Sequence, residues 1–128
     1  MNLLLDTHIF IWAYSAPHKL TPTVLNALND PANTLHLSVV SMWEMQIKAQ
    51  IGKLHLPLPV KEFVTVQRNL NNIRSWPVVE RHIWALDSLP MHHKDPFDRL
   101  LIAQAITENW WLVTADAIFV KYPVKLLR

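Results

Sequence analysis

The segment His92-His93-Lys94-Asp95-Pro96-Phe97-Asp98-Arg99-Leu100-Leu101-Ile102-Ala103-Gln104-Ala105 places the tightest constraint on what this chain can become. Pro96 suits the first turn of a helix, where its missing N–H costs nothing, and Asp95 before it is a good N-cap. A helix is predicted over residues 95–108, with Asn109 as its stop. At about 100° per residue, Asp95 and Asp98 share a stripe with Leu101, Ile102, Ala105 and Ile106, and that stripe must be the buried one. An aspartate that serves only the helix dipole belongs on the wet face. Asp98 instead stands at the upper end of the core-facing stripe, where an ionised carboxylate is costly unless something cationic meets it.

A chain of 128 residues, 51% of them hydrophobic, is long enough for one domain with a real core, and the low charged fraction excludes disorder. A single domain over residues 1–128 is the expectation. The longest apolar run is far too short for a membrane span, and the N-terminus lacks a basic segment with a cleavage pattern. Without cysteine there is neither a disulfide framework nor a thiolate metal site, and a cytoplasmic location is expected. The net charge of +2 is compatible with a nucleic-acid partner without demanding one. The single glycine, Gly52, excludes a Walker A loop and a GxGxxG turn, so any phosphate must be met by metal or cationic side chains.

Strands are predicted at 2–6, 34–38, 73–78, 110–114 and 124–127, and helices at 7–15, 21–29, 40–51, 60–71, 79–89 and 95–108, with a helical turn at 117–122. The 79–89 helix is expected to carry Ile83, Trp84 and Leu86 inward, and Gly52 to stop the 40–51 helix. Alternation of strand and helix predicts a parallel sheet covered on both faces. In such a sheet the carboxyl ends of the strands share one edge, where ligands bind.

Four acids fall near that edge. Asp6 ends the first strand, Glu44 follows the second, Asp98 opens the central helix, and Asp116 follows the fourth strand in Thr-Ala-Asp. Glu44 repeats the oddity of Asp98, since its helical neighbours are Val40, Ile47 and Ile51. Each acid also has a plainer reading: Asp6 and Asp116 as helix caps, Glu44 as the partner of Lys48 one turn on, Asp98 as a partner of Arg99 or the helix dipole. Taken together, they predict one negative pocket. Carboxylates crowded without a counterion repel and raise one another's pKa, and a divalent cation removes that penalty. An all-oxygen donor set points to Mg²⁺ or Mn²⁺ rather than zinc.

The stretches Leu3-Leu4-Leu5-Asp6-Thr7-His8, Ser41-Met42-Trp43-Glu44, Asp95-Pro96-Phe97-Asp98-Arg99-Leu100-Leu101-Ile102-Ala103-Gln104-Ala105 and Thr114-Ala115-Asp116 resemble, in order, the four motifs of the PIN domain. The chain is most similar to the VapC-type ribonuclease toxins of bacterial toxin–antitoxin pairs, and the likeness spans nearly its whole length. The resemblance implies a three-layer α/β/α fold around a parallel five-stranded sheet, and a metal-dependent endoribonuclease that leaves a 3′-hydroxyl and a 5′-phosphate. It implies that Asp6, Glu44, Asp98 and Asp116 form the acidic quartet that holds Mg²⁺ or Mn²⁺, with Thr7 and Thr114 at neighbouring hydroxyl positions. It also implies a homodimer, an RNA substrate and inhibition by a small cognate antitoxin.

Arg99 is a candidate phosphate contact or a helix-surface ion-pair partner, and Asp95 is read as a cap rather than a ligand. Lys48, Lys53 and Lys94 offer cationic surface. His92-His93 is not read as a metal site, because adjacent histidines rarely ligate one ion together; His8 is read as a satisfied structural histidine. The six tryptophans are expected mainly in the core, with Trp43 a candidate for stacking on a base. The 7–15 and 21–29 helices are the candidates for a partner surface. Two rivals remain open at this level. One is an aspartyl-phosphate phosphotransferase with Asp6 as nucleophile, although the second acid expected two residues on is His8, and Leu5 precedes Asp6. The other is a non-catalytic interaction module.

Overall fold

The strands at residues 2–5, 34–38 and 111–113 are short and apolar enough to be buried on both faces, whereas the one at 73–76 exposes Arg74 and Ser75, and that dictates which strands are central. In the computed structural model, which describes residues 1–128, five strands form one parallel sheet: β1 (Asn2–Leu5), β2 (Thr34–Ser38), β3 (Ile73–Trp76), β4 (Trp111–Val113) and β5 (Leu126–Leu127). Their order is β3-β2-β1-β4-β5. The register sets Leu3 beside Leu35 and Trp111, and Leu4 beside His36 and Leu112. Six α-helices connect them: α1 (Thr7–Ser15), α2 (Pro22–Asn29), α3 (Val39–Gln50), α4 (Val60–Asn71), α5 (Glu80–Ala85) and α6 (Pro96–Glu108).

The period-2 geometry of the strands splits the core in two. Leu3, Leu5, Leu35, Leu37 and Val113 point to one face and pack with Ile9 and Phe10 of α1, Val24 of α2, Met45 of α3 and Phe63 of α4. Leu4 and Leu112 point to the other, against Leu101, Ile102 and Ala105 of α6 and Phe119 and Tyr122 beyond β4. The result is the expected helix–sheet–helix sandwich. Because β2 and β3 lie on one side of β1 and β4 and β5 on the other, the strand order reverses between β1 and β4. A reversal of this kind opens a crevice beyond the strands' carboxyl ends.

Local chemistry sets the helix ends. Asp95 Oδ1 accepts from the N–H groups of Phe97 (2.9 Å) and Asp98 (3.1 Å), capping α6 where Pro96 occupies its first turn. Ser38 Oγ caps α3 through Val40 N–H (3.1 Å). Asn109 and Asn72 close α6 and α4 in the left-handed conformation, at φ 58° and 52°, and Gly52 follows α3 at φ 76°.

Several expectations are corrected. The predicted 79–89 helix is α5 followed by a 3-10 turn at Leu86–Ser88. Its inward residue is His82, fully buried, while Ile83 and Trp84 are exposed. Glu108 explains why a histidine is tolerated there: it lies 2.9 Å from His82 Nε2, and Val79 N–H donates to Nδ1 at 3.1 Å. Of the tryptophans, none is fully buried, and Trp43 and Trp84 are exposed. Ile51 likewise emerges into solvent as α3 ends. The last strand contains only Leu126 and Leu127, because Pro123 and the Val124 N–H bond to Tyr122 O (2.8 Å) keep the preceding residues in a turn. No helix is long and apolar enough to cross a membrane.

Candidate active site

The crevice between β1 and β4 gathers the acids from four separate stretches of chain. Asp6 leaves β1 and is buried; its Oδ2 accepts a 2.7 Å hydrogen bond from the Thr114 hydroxyl at the end of β4. Its other oxygen lies 3.4 Å from the His8 N–H at the start of α1. Thr114 Oγ1 in turn accepts from Asp116 N–H at 3.0 Å, so one hydroxyl ties two of the acids together. Asp116 is exposed, and its Oδ1 accepts from Ile118 N–H (3.1 Å) to cap the 3-10 turn Ala117–Lys121. The cap readings of Asp6 and Asp116 therefore hold alongside their convergence, since each carboxylate has two oxygens.

Glu44 reaches the crevice from α3. Its Oε1 lies 2.8 Å from Thr7 Oγ1, which lies 2.8 Å from Ser41 Oγ; a carboxylate only accepts, so the Thr7 hydroxyl donates to Glu44 and accepts from Ser41. All three side chains are buried. Glu44 Oε2 meets Lys48 Nζ at 2.6 Å, the pair expected one turn on. Asp98, on the first turn of α6, lies with Oδ2 2.7 Å from His93 Nε2. Donor atoms of His93, Asp98 and Asp116 all fall within 4.8 Å of one another. Asp6, His8, Trp12 and Asp116 line one open cleft beside them.

The electrostatics follow from burial and crowding. Burial pushes the Asp6 carboxyl up, with the Glu44 charge adding to it, against the opposing Thr114 hydrogen bond and His8. Asp98 is pushed up to about 6 by burial and by the charges of Asp6, Asp95 and Glu44, despite its hydrogen bond to His93. Burial works against the Lys48 ammonium, yet the Glu44 contact and the charges of Asp95 and Asp98 hold its pKa above the ordinary value. Lys48 is thus the built-in cation of an otherwise negative nest.

Arg99 forms no ion pair with the carboxylates. Its Nη1 donates to Pro90 O (2.9 Å) and lies 3.4 Å from both His93 O and Tyr122 Oη, so it holds the loop before α6. His8, expected as a satisfied structural histidine, is exposed against Trp12 at the cleft. His93, not expected as a ligand because His92 adjoins it, reaches the site on its own. The two histidines part: His92 packs on Tyr122 (ring centroids 5.5 Å) while His93 turns to Asp98. Its position five residues ahead of Asp98 was the available signal. Trp43, 60% exposed, stands edge-on to Phe97 at 5.1 Å, so the residues preceding Glu44 and Asp98 touch.

A parallel α/β sandwich with carboxylates converging at its switch-point crevice defines a class of site suited to a hard cation, and to the phosphoryl chemistry such a cation serves. Comparison with known proteins narrows it: the PIN domain family model matches residues 3–125, and the chain belongs to that family. It is 29% identical to Ribonuclease VapC22 of Mycobacterium tuberculosis over 116 residues, covering 90% of this chain and 87% of that one. Among solved structures, a chain in the crystal structure of VapBC2 from Rickettsia felis bound to a promoter DNA fragment superposes with a TM-score of 0.70 at 21% identity, over 98% of this chain and 97% of that chain. A chain in a toxin–antitoxin complex from Klebsiella pneumoniae gives 0.64 at 18% identity, over 98% and 96%. These two likenesses establish the fold.

Proposed function

We propose that this chain is a Mg²⁺- or Mn²⁺-dependent endoribonuclease, the toxin of a toxin–antitoxin pair, working as a single cytoplasmic domain over residues 1–128. The observation that carries the reading is the gathering of Asp6, Glu44, Asp98 and Asp116 at the crevice with Lys48 as the one lysine counterion, where burial first and neighbouring acid charges second make Asp6 and Asp98 hold their protons unusually tightly. The donor set fits a divalent cation: carboxylates of raised pKa are relieved by a charge that one lysine does not supply. A bound divalent ion would polarise the scissile phosphate and lower the pKa of an attacking water. Membership of the PIN family, and likeness to a protein named as a ribonuclease and to chains of VapBC complexes, support RNA as substrate and an antitoxin as partner. Homodimerisation is part of the same proposal.

The chain's own residues take defined parts in it. Asp6, Glu44, Asp98 and Asp116 hold the ion, Thr114 orients Asp6, and Thr7 orients Glu44 through the hydroxyl contacts above. Lys48 neutralises Glu44 and faces Asp98, offering a cation where phosphate would approach. Arg99 shapes the loop carrying His93, and the exposed ring of Trp43 offers a face on which a base can stack. The test is RNA cleavage with and without chelator by the wild type, Asp6→Asn and Asp98→Asn. Cleavage is expected to fall to background in chelator and in both variants. Undiminished cleavage by the two variants would overturn the assignment.

A further inference from the structure

We propose that His93 supplies a nitrogen ligand to the ion held by Asp98 and Asp116, so that this site selects Mn²⁺ over Mg²⁺. The inference rests on the metal-nuclease reading of the same crevice and deepens it. Ligands at bond lengths of about 2.1 Å stand roughly 3 Å apart when adjacent around an ion and about 4.2 Å apart when opposite. His93 Nε2 and Asp98 Oδ2 are already 2.7 Å apart, and no pair among the His93, Asp98 and Asp116 donors exceeds 4.8 Å. His93 and Asp98 thus already stand as neighbouring ligands do, and a swing of the exposed Asp116 side chain closes all three around one centre, the imidazole proton leaving Nε2 as the ion binds.

The imidazole is held there by its surroundings rather than by chance rotation. The backbone N–H of His93 donates to Tyr122 Oη at 2.8 Å, fixing the main chain from which the ring projects, and Tyr122 is buried. Arg99 secures the same loop through the carbonyls of Pro90 and His93. The ring lies 6.0 Å from that of Phe119, which is buried in the 3-10 turn that Asp116 caps. One turn thus braces His93 and carries its fellow ligand Asp116. His92, one residue earlier, packs on Tyr122 and is not positioned to compete. Mg²⁺ favours oxygen donors and retained water, whereas Mn²⁺, the first of the transition-ion affinity series, tolerates an imidazole nitrogen that the later ions bind better still. A carboxylate-only site discriminates between the two ions by geometry alone.

The experiment uses the full chain and the metal alone. Pulsed electron paramagnetic resonance of bound Mn²⁺, in protein carrying natural-abundance or ¹⁵N-labelled histidine, reads nitrogen coupling directly. The coupling is expected to change with the isotope and to vanish in His93→Gln. In calorimetric titrations, His93→Gln should weaken Mn²⁺ binding by about 10-fold or more while changing Mg²⁺ binding by less than about 2-fold, collapsing the preference between them. Mn²⁺ that binds in an Asp98-dependent manner without histidine coupling would overturn the ligand role and leave the nuclease reading standing. So would equal losses for both ions, which would make His93 a positioning residue for Asp98. Absence of Asp98-dependent binding of either ion would overturn both readings.

Discussion

Neutralising Asp98 should make the metal-free protein more stable. In the folded chain Asp98 keeps its proton up to about pH 6, whereas its ordinary value is 3.8. Ionisation therefore opposes folding. The penalty is absent below about pH 4, grows as pH rises through the window between the two values, and is complete above about pH 6. Roughly two pKa units correspond to about 3 kcal/mol, and solvent screening at a partly exposed carboxylate reduces this to about 1–2 kcal/mol. An unfolding entropy of about 2.1 cal/mol/K per residue converts each kcal/mol into about 4 °C for a chain of this length. Asp98→Asn, whose amide oxygen still accepts from His93, should raise the Tm in chelator at pH 7.5 by about 4–8 °C, and the gain should shrink toward zero at pH 4. Calorimetric or fluorescence melting across that pH range is the assay. An unchanged or lower Tm at pH 7.5, or a gain that does not depend on pH, would refute the costly burial of Asp98 among neighbouring acids on which the site assignment is built.

Two further outcomes test the supports of the site and the stop of the central helix. Thr7→Val keeps the shape of a buried side chain but takes the hydroxyl from between Glu44 and Ser41; urea unfolding should show a loss of about 2 kcal/mol, recovered largely by Thr7→Ser. A loss below about 0.5 kcal/mol would mean that Glu44 does not need that donor. Asn109 closes α6 at φ 58°, so Asn109→Ala should cost about 1 kcal/mol while Asn109→Gly is neutral or slightly stabilising, as read by the same unfolding curves.

Local rules carried far into this chain. The Asp95-Pro96 start and Asn109 stop of α6 are backbone chemistry confined to a few neighbouring residues, which is why they were legible. The apolar run Leu3-Leu4-Leu5 ending in Asp6 reads as a buried strand with its acid at the carboxyl end, and β1 is such a strand. Where packing chose between partners, the reading failed. Ile83 and Trp84 are apolar, yet α5 turns His82 inward because Glu108 and the Val79 N–H, distant in sequence or set by the helix start, satisfy both ring nitrogens. The approach of His93 to Asp98 depends on Tyr122 and Arg99, neither of which is readable as a neighbour of His93 from spacing alone.

Sequence by itself determined the alternation of strands and helices, and with it the parallel sheet that sends every strand's carboxyl end to one edge. It also determined which acids stand near those ends, since capping and periodicity act over a turn or two of chain. Only the tertiary structure decided which of them meet, and through what. The reversal of strand order between β1 and β4 brings Thr114 onto Asp6 across 108 residues of chain. The loop before α6 lays an imidazole against Asp98. Contacts of that kind are set by packing between elements, and no local propensity encodes them.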